Sequence, residues 1–242
     1  MTDGASRTAQ TNGTDAPAGG QWRTAAARSI TQVLNDQLTR VKVSPGHRVL
    51  DLTGVADRKH LSRLVGPSGH IDAPDRAQMP EDPRGYDIVL ADRQPDRVDA
   101  LAPMTALLRS GGWLILAGTA VTPPVVYTAV PGSTSVIDRV VRAINALTPS
   151  PAPPPSADTT IGVLIELGMD QVCVTTHTET SRGGGPECAL YSHAARHLHD
   201  RLTGNAGFTT AELGQFDQLM QDPGILLRLS STVALHARMS TA

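Results

Sequence analysis

Apolar and polar positions alternate along this chain with two periods, and the switching between them lays out its elements. Val49 and Leu50 close on Asp51, with Leu52 beyond. The pattern then turns polar until Leu61, as for a buried strand over Arg48 to Leu52 breaking into a helix from about Asp57 to Val65. "YDIVLAD", Tyr86 to Asp92, is a second buried strand, and Trp113 to Ala117 is a third, fed by a Gly-Gly turn. A short strand is predicted around His70 to Ala73, after the turn "GPSG". Helical spacing links Ala26, Ile30, Val33, Leu34, Leu38 and Val41 within Gln21 to Val43. Further helices are predicted over Ala100 to Leu108, Val136 to Leu147 and Thr160 to Leu167, the last closed by Gly168. Gln171 to Thr178 alternates as a strand. Two helices follow, roughly Cys188 to Leu202 and Thr210 to Gln221, the second opened by the capping box "TTAE". "STVALHARM" near the end alternates like a closing edge strand. Strands alternating with helices at these intervals predict an α/β fold, a Rossmann-like, doubly wound, mostly parallel sheet with C-terminal helices.

Composition narrows the classes. Residues 1–20 hold almost no large apolar side chain and are expected to be a disordered arm, leaving 21–242 as a single domain. The net charge of −2, with basic residues scattered, gives no footprint for nucleic acid. Apolar runs are strand-length, so no membrane span is expected. The N-terminus lacks a charged-then-apolar signal layout, which favours the cytoplasm. Cys173 and Cys188 are too few for a disulfide framework and read as reduced thiols. "TPSPAPPPSAD" is a stiff loop of polyproline character.

The succession "PGHRVLDL", "GHIDAPD", "YDIVLAD", "LLRSGGWLILAG", "LIELGMDQVCV" resembles class I S-adenosylmethionine-dependent methyltransferases, over residues 25–240. The C-terminal "ETSRGGGPECALYSHAARHLHDRL" is similar to a bacterial branch found among small-molecule tailoring enzymes. Nineteen arginines against two lysines, beside abundant Ala, Gly and Pro, fit a high-GC, actinobacterial-like source. The resemblance implies a cofactor site formed by Asp51, the turn after it and an acid on the second strand. In the family that turn reads Gly-x-Gly-x-Gly under the methionine part of the cofactor. Here the three places hold Thr53, Val55 and Asp57, and Gly54 alone remains, at an intervening place. A β-branched Val is strained wherever φ must be positive, and the Asp57 carboxylate would face the cofactor's own. Asp75 stands where the family keeps the acid that holds the ribose hydroxyls; the alternative is a solvated loop acid before Arg76. Only ten residues separate Asp75 from Tyr86, too few for a crossover between parallel strands. One strand–helix unit, with the adenine contacts the family places on it, is therefore expected to be missing.

Other chemistry is sparse. His193 and His197 lie four apart on one helix, a spacing able to chelate a metal, but no third ligand stands at a matching interval, so no metal is expected. His177, beside Glu179, is the candidate acid/base, because strand-to-loop segments edge this fold's cleft; an ordinary surface histidine is the alternative. Tyr127 and the loop "TPPVVYTAVPG", residues 122–132, read as part of a substrate lid. The stripes Leu190, Ala194, Leu198 and Leu213, Phe216, Leu219 are candidates for an oligomer contact or for the chain's own core.

The expected function is that of a methyltransferase-like protein of natural-product biosynthesis whose S-adenosylmethionine site is impaired. It would bind a biosynthetic intermediate and act without methyl transfer, by cyclisation or rearrangement, with no cofactor bound tightly. The alternatives are a working S-adenosylmethionine-dependent methyltransferase on a small acceptor, and a non-catalytic subunit pairing with a catalytic methyltransferase or with itself.

Overall fold

Eight α-helices and seven strands realise the two periods in the computed structural model, which describes residues 16–74, 85–92, 98–127, 132–148 and 157–241. In chain order they are α1 (Ala16–Arg40), β1 (Arg48–Asp51), α2 (Arg58–Val65), β2 (His70–Asp72), β3 (Tyr86–Asp92), a 3-10 turn (Val98–Ala100) and α3 (Leu101–Ala106). Then come β4 (Leu108–Val126), α4 (Ser133–Leu147), α5 (Ala157–Glu166), β5 (Met169–Thr178), β6 (Ser181–Arg182) and α6 (Pro186–His197). The chain ends with α7 (His199–Gly204), α8 (Thr210–Gln221) and β7 (Leu226–Met239). The expected arm falls outside the described residues as far as residue 15. Helix α1 already begins at Ala16, five residues before the expected domain boundary.

The sheet runs β2-β1-β3-β4-β7-β5, with β6 paired to β7. Strands β2, β1, β3 and β4 are parallel, while β7 runs antiparallel to both β4 and β5. The fold class read from the sequence is the one observed. Two expectations change. β7 is not an edge strand: it lies between β4 and β5, and Ser231 to Ala237 are buried along it almost without a break. Alternation in sequence reports which face a side chain takes, not whether a strand has one neighbour or two. β4 is also far longer than the five residues expected. It continues through Pro123 and Pro124, where the pairing with β7 slips between Val121 and Val125, so residues 122–126 are strand rather than loop, and residues 128–131 of the expected lid lie outside the described residues. Prolines sit at such irregularities because no ladder hydrogen bond is required of them there.

One face of the sheet packs Val49, Ile88, Leu90 and Ile115 against Val33, Leu34 and Leu38 of α1 and Leu61 of α2. The other packs Leu50, Val89 and Leu114 against Leu101 and Leu164 from α3 and α5. A third cluster joins α4, α6, α7 and α8 to Leu227 and Leu229 at the start of β7. Leu190, Leu213, Phe216 and Leu219 are buried in it, with Ala194 and Leu198 packed against it. Those stripes are therefore the chain's own core, not a surface kept for a second subunit. Among the described residues no strand lies beyond β2, and residues 75–84, where the shortened crossover falls, lie outside them. On β2 itself Asp72 is held by His70, by the Tyr86 hydroxyl at 2.8 Å and by Arg48 at 3.8 Å, an ionic cluster suited to a sheet edge. His70, Tyr86 and Arg48 together keep the Asp72 carboxyl below its usual range, against the desolvation that raises it. No helix among the described residues is long and apolar enough to cross a membrane.

Candidate functional site

In a parallel sheet of this kind ligands meet the carboxyl ends of the strands, where β1 delivers Asp51 and β3 delivers Asp92. The seven residues from Asp51 to Asp57 decide what that rim can accept. Asp51 is buried, and its Oδ1 accepts from the Thr53 backbone N–H at 2.9 Å and from the Thr53 hydroxyl at 2.6 Å. Thr53, fully buried, accepts in turn through Oγ1 from the N–H groups of Val55 at 3.1 Å and Ala56 at 3.2 Å. Asp57 then caps α2, its Oδ1 accepting from the N–H groups of Lys59 at 2.9 Å and His60 at 3.1 Å. Those N–H donors, that of His60 first, draw the Asp57 carboxyl below its usual range, with help from the nearby His60 and Arg63 charges. From the opposite side the Thr31 hydroxyl, on α1, reaches the Val55 carbonyl at 2.7 Å.

The turn is thus a relay of side-chain-to-backbone hydrogen bonds, an Asx turn, a threonine turn and an N-cap in succession. Gly54 alone has positive φ, 65°, and a Cβ there would meet nothing within 4 Å, so only its backbone conformation calls for glycine. Val55 has no positive φ, and the strain expected at that place does not arise. Its half-buried side chain packs instead with the α1–α2 core. The Asp57 carboxylate engages the first turn of α2 through Oδ1. The spacing Asp51-x-Thr53-x-x-x-Asp57 carried this information, since short oxygen-bearing side chains two and three residues before an N–H compete with glycine for the same turn.

The other expected site residues fall apart in space. Asp75 lies outside the described residues. His177 pairs with Thr232, which pairs with Thr119, two residues beyond the level of Asp92 and Ala117 at the strand ends. Its side chain is half-buried, and its Nε2 is buried with no hydrogen-bond partner among the described residues. Tyr127 is exposed and donates its backbone N–H to the Leu226 carbonyl. Leu226 is six residues from Thr232 along β7, so Tyr127 stands about 20 Å from the level of His177 at some 3.3 Å per residue. The structure does not bring the two together. Glu179 is exposed. His193 and His197 are exposed on α6, and no group of three potential metal ligands exists among the described residues.

The "RGGGPE" turn has a packing explanation. A Cβ on Gly183 would lie 2.0 Å from the Asp222 carbonyl oxygen, so bare backbone is needed to pass there. Gly183 and Gly184 donate their N–H groups to the carbonyls of Ile225 and Met220. Glu187 accepts from the hydroxyls of Ser181 at 2.7 Å and Ser230 at 2.6 Å, tying α6 to β6 and β7. Sequence reading had not singled out Glu187, Thr31 or Ser230. Nothing local marks them, because each acts through a partner distant in the chain.

No known family description matches this sequence, and no curated protein does. Solved structures do match. The YcgJ protein of Bacillus subtilis is 10% identical, with 87% of this chain and 100% of that one covered, at a TM-score of 0.50. A putative methyltransferase of Bacillus halodurans is 14% identical over 86% of this chain and 99% of that one, at 0.45. The [4+2]-cyclase SpnF is 13% identical over 91% and 83%, at 0.40. At these identities the likeness is one of fold, and the first of the three carries it. The chain has a Rossmann-like α/β fold, shared with the YcgJ protein.

Proposed function

We propose that this protein has given up S-adenosylmethionine and uses the methyltransferase-like fold without methyl transfer. The observation that carries the proposal is the closed relay from Asp51 to Asp57. A ligand laid over this turn needs the N–H groups at the start of α2 and an open acid at the end of β1. Asp57 already occupies the Lys59 and His60 N–H groups, and Thr53 occupies Asp51 Oδ1 and the Val55 and Ala56 N–H groups. The donor set does not fit the cofactor. Opening the four Thr53 hydrogen bonds alone would cost about 2–6 kcal/mol, at 0.5–1.5 kcal/mol net for each. That weakens any ligand requiring it by roughly one and a half to four powers of ten.

The role proposed for the remaining rim is to bind a small-molecule biosynthetic intermediate and steer its cyclisation or rearrangement. His177 is the polar group offered, supported by its place two residues beyond the strand ends and by its Nε2, which has no hydrogen-bond partner among the described residues. The reading as a non-catalytic subunit draws support from a different observation: residues 122–126 and the glycine turn, which would otherwise suggest a working pocket, are engaged in the chain's own packing. Thermal unfolding with S-adenosylmethionine tests the central claim. A ligand at a hundred times its Kd adds about 2.7 kcal/mol and raises Tm by several degrees. About 1 mM S-adenosylmethionine should leave Tm unmoved, and a shift of that size would overturn the proposal.

A further inference from the structure

The helices at the two edges of the sheet carry opposite charge. Helix α2 carries Arg58, Lys59 and Arg63 and no acid, with Asp57 at its cap and Asp72 on the neighbouring β2. At the β5 edge, residues 143–181 include Asp158, Glu166, Asp170 and Glu179 and no Lys or Arg. Arg58, Lys59, Asp158, Glu166 and Asp170 are exposed, and none of them is ion-paired to a described residue.

An apolar knob and a groove lie beside these charges. Ile165 is one of two exposed large apolar side chains among the described residues, 59% accessible. It stands on the outer face of α5 with Asp158 and Glu166, and Gly162 leaves that face flat because a Cβ there would meet nothing within 4 Å. Between α2 and β2 lies a groove of about 360 Å³, floored by Val65, Ile71 and the backbone of Gly66 and Gly69, with Arg58 and Ser62 along one wall. Its bare floor is enforced, since a Cβ on Gly69 would come within 2.4 Å of the Val65 side chain.

We propose that Ile165 of one copy seats in the α2–β2 groove of a second copy, with Glu166 and Asp158 against Arg58, Lys59 and Arg63. Two acidic edges or two basic edges brought together would repel, so charge selects the unlike pair. The contact is then heterologous, and the pair keeps one unused knob and one unused groove. Chains therefore associate head to tail rather than as a closed symmetric pair.

Sedimentation of the full chain at about 100 μM, in about 20 mM and about 500 mM salt, tests this, because exposed ion pairs are screened across that range. The average mass should exceed the 25.5 kDa of one chain at low salt and fall back to it at high salt. Two surface variants refine the test: Arg58→Gln with Lys59→Gln and Arg63→Gln removes the groove's charge, and Ile165→Ser with Glu166→Gln removes the α5 knob. Each alone should be monomeric. Mixed in equal amounts they retain one intact groove and one intact knob, and should form dimers and nothing larger. A wild type that is monomeric at low salt, a variant that still associates alone, or a mixture that stays monomeric would each overturn the proposal.

Discussion

Thr53 stands at the centre of the turn after β1: one hydroxyl joins the strand-end acid to the two N–H groups that follow. Thr53→Val keeps the shape, removes that hydroxyl, leaves the Val55 and Ala56 N–H groups without their acceptor, and leaves buried Asp51 Oδ1 with one donor fewer. It should destabilise the fold by about 1–3 kcal/mol, the cost of orphaned buried polar groups, measured as a lowered urea midpoint at unchanged slope. An unchanged midpoint would show that the relay is incidental to the turn. At this scale the sequence told half of the story. That Thr53, Val55 and Asp57 displace glycines was legible from Asp51 onward, whereas the way they do so was not. Val55 was expected to be strained and Asp57 to repel a ligand; in fact Val55 joins the core and Asp57 caps a helix. A substitution removes one option from the backbone, and only the local hydrogen bonds show which option replaces it.

Elements were read best where both period and ends were marked. β3 and α8 run over the residues expected, Tyr86–Asp92 and Thr210–Gln221, the latter because Thr209 and Glu212 form a reciprocal capping box. β4 and β7 were read too short or in the wrong place because their pairing is long-range: Trp113 meets Arg238 and Val126 meets Leu227, contacts that no local window contains. The same distance hides the link between α1 and β7, where His236 meets the fully buried Gln37 at 2.6 Å, with Trp113 edge-on to the ring. Burial, and then the charge of Arg40, depresses the His236 pKa below its ordinary value of 6.5. The unfolded chain then binds more protons, and this contribution to stability is complete above about pH 6.5 and is lost as pH falls below it. The urea midpoint should decline from about pH 7 to about pH 5.5, and decline less in His236→Asn; equal slopes in the two proteins would rule the residue out. Among the helices, Phe216→Ala should cost about 3–5 kcal/mol, because the side chain is fully buried between α8 and its neighbours, and should leave the state of association unchanged. Loss of association without loss of stability would return the stripe to an interface.

For the whole molecule, the sheet order, the polar edge at β2 and the closed turn fit the proposed reading: a Rossmann-like fold in which the turn after β1 is held by the chain's own hydrogen bonds. The architecture was legible because alternating strands and helices allow few topologies. The site was less so, because its expected parts either lie apart, as His177 and Tyr127 do, or have taken structural work, as residues 122–126 have. Calorimetry of the wild-type chain with S-adenosylmethionine, and with its demethylated product, measures the consequence most directly. The account predicts no saturable heat, or a Kd near a millimolar or weaker, since the turn would have to break its own hydrogen bonds to admit the ligand. A saturable isotherm with a Kd in the low micromolar range would contradict it, and would make the Asp51-to-Asp57 relay a working cofactor turn.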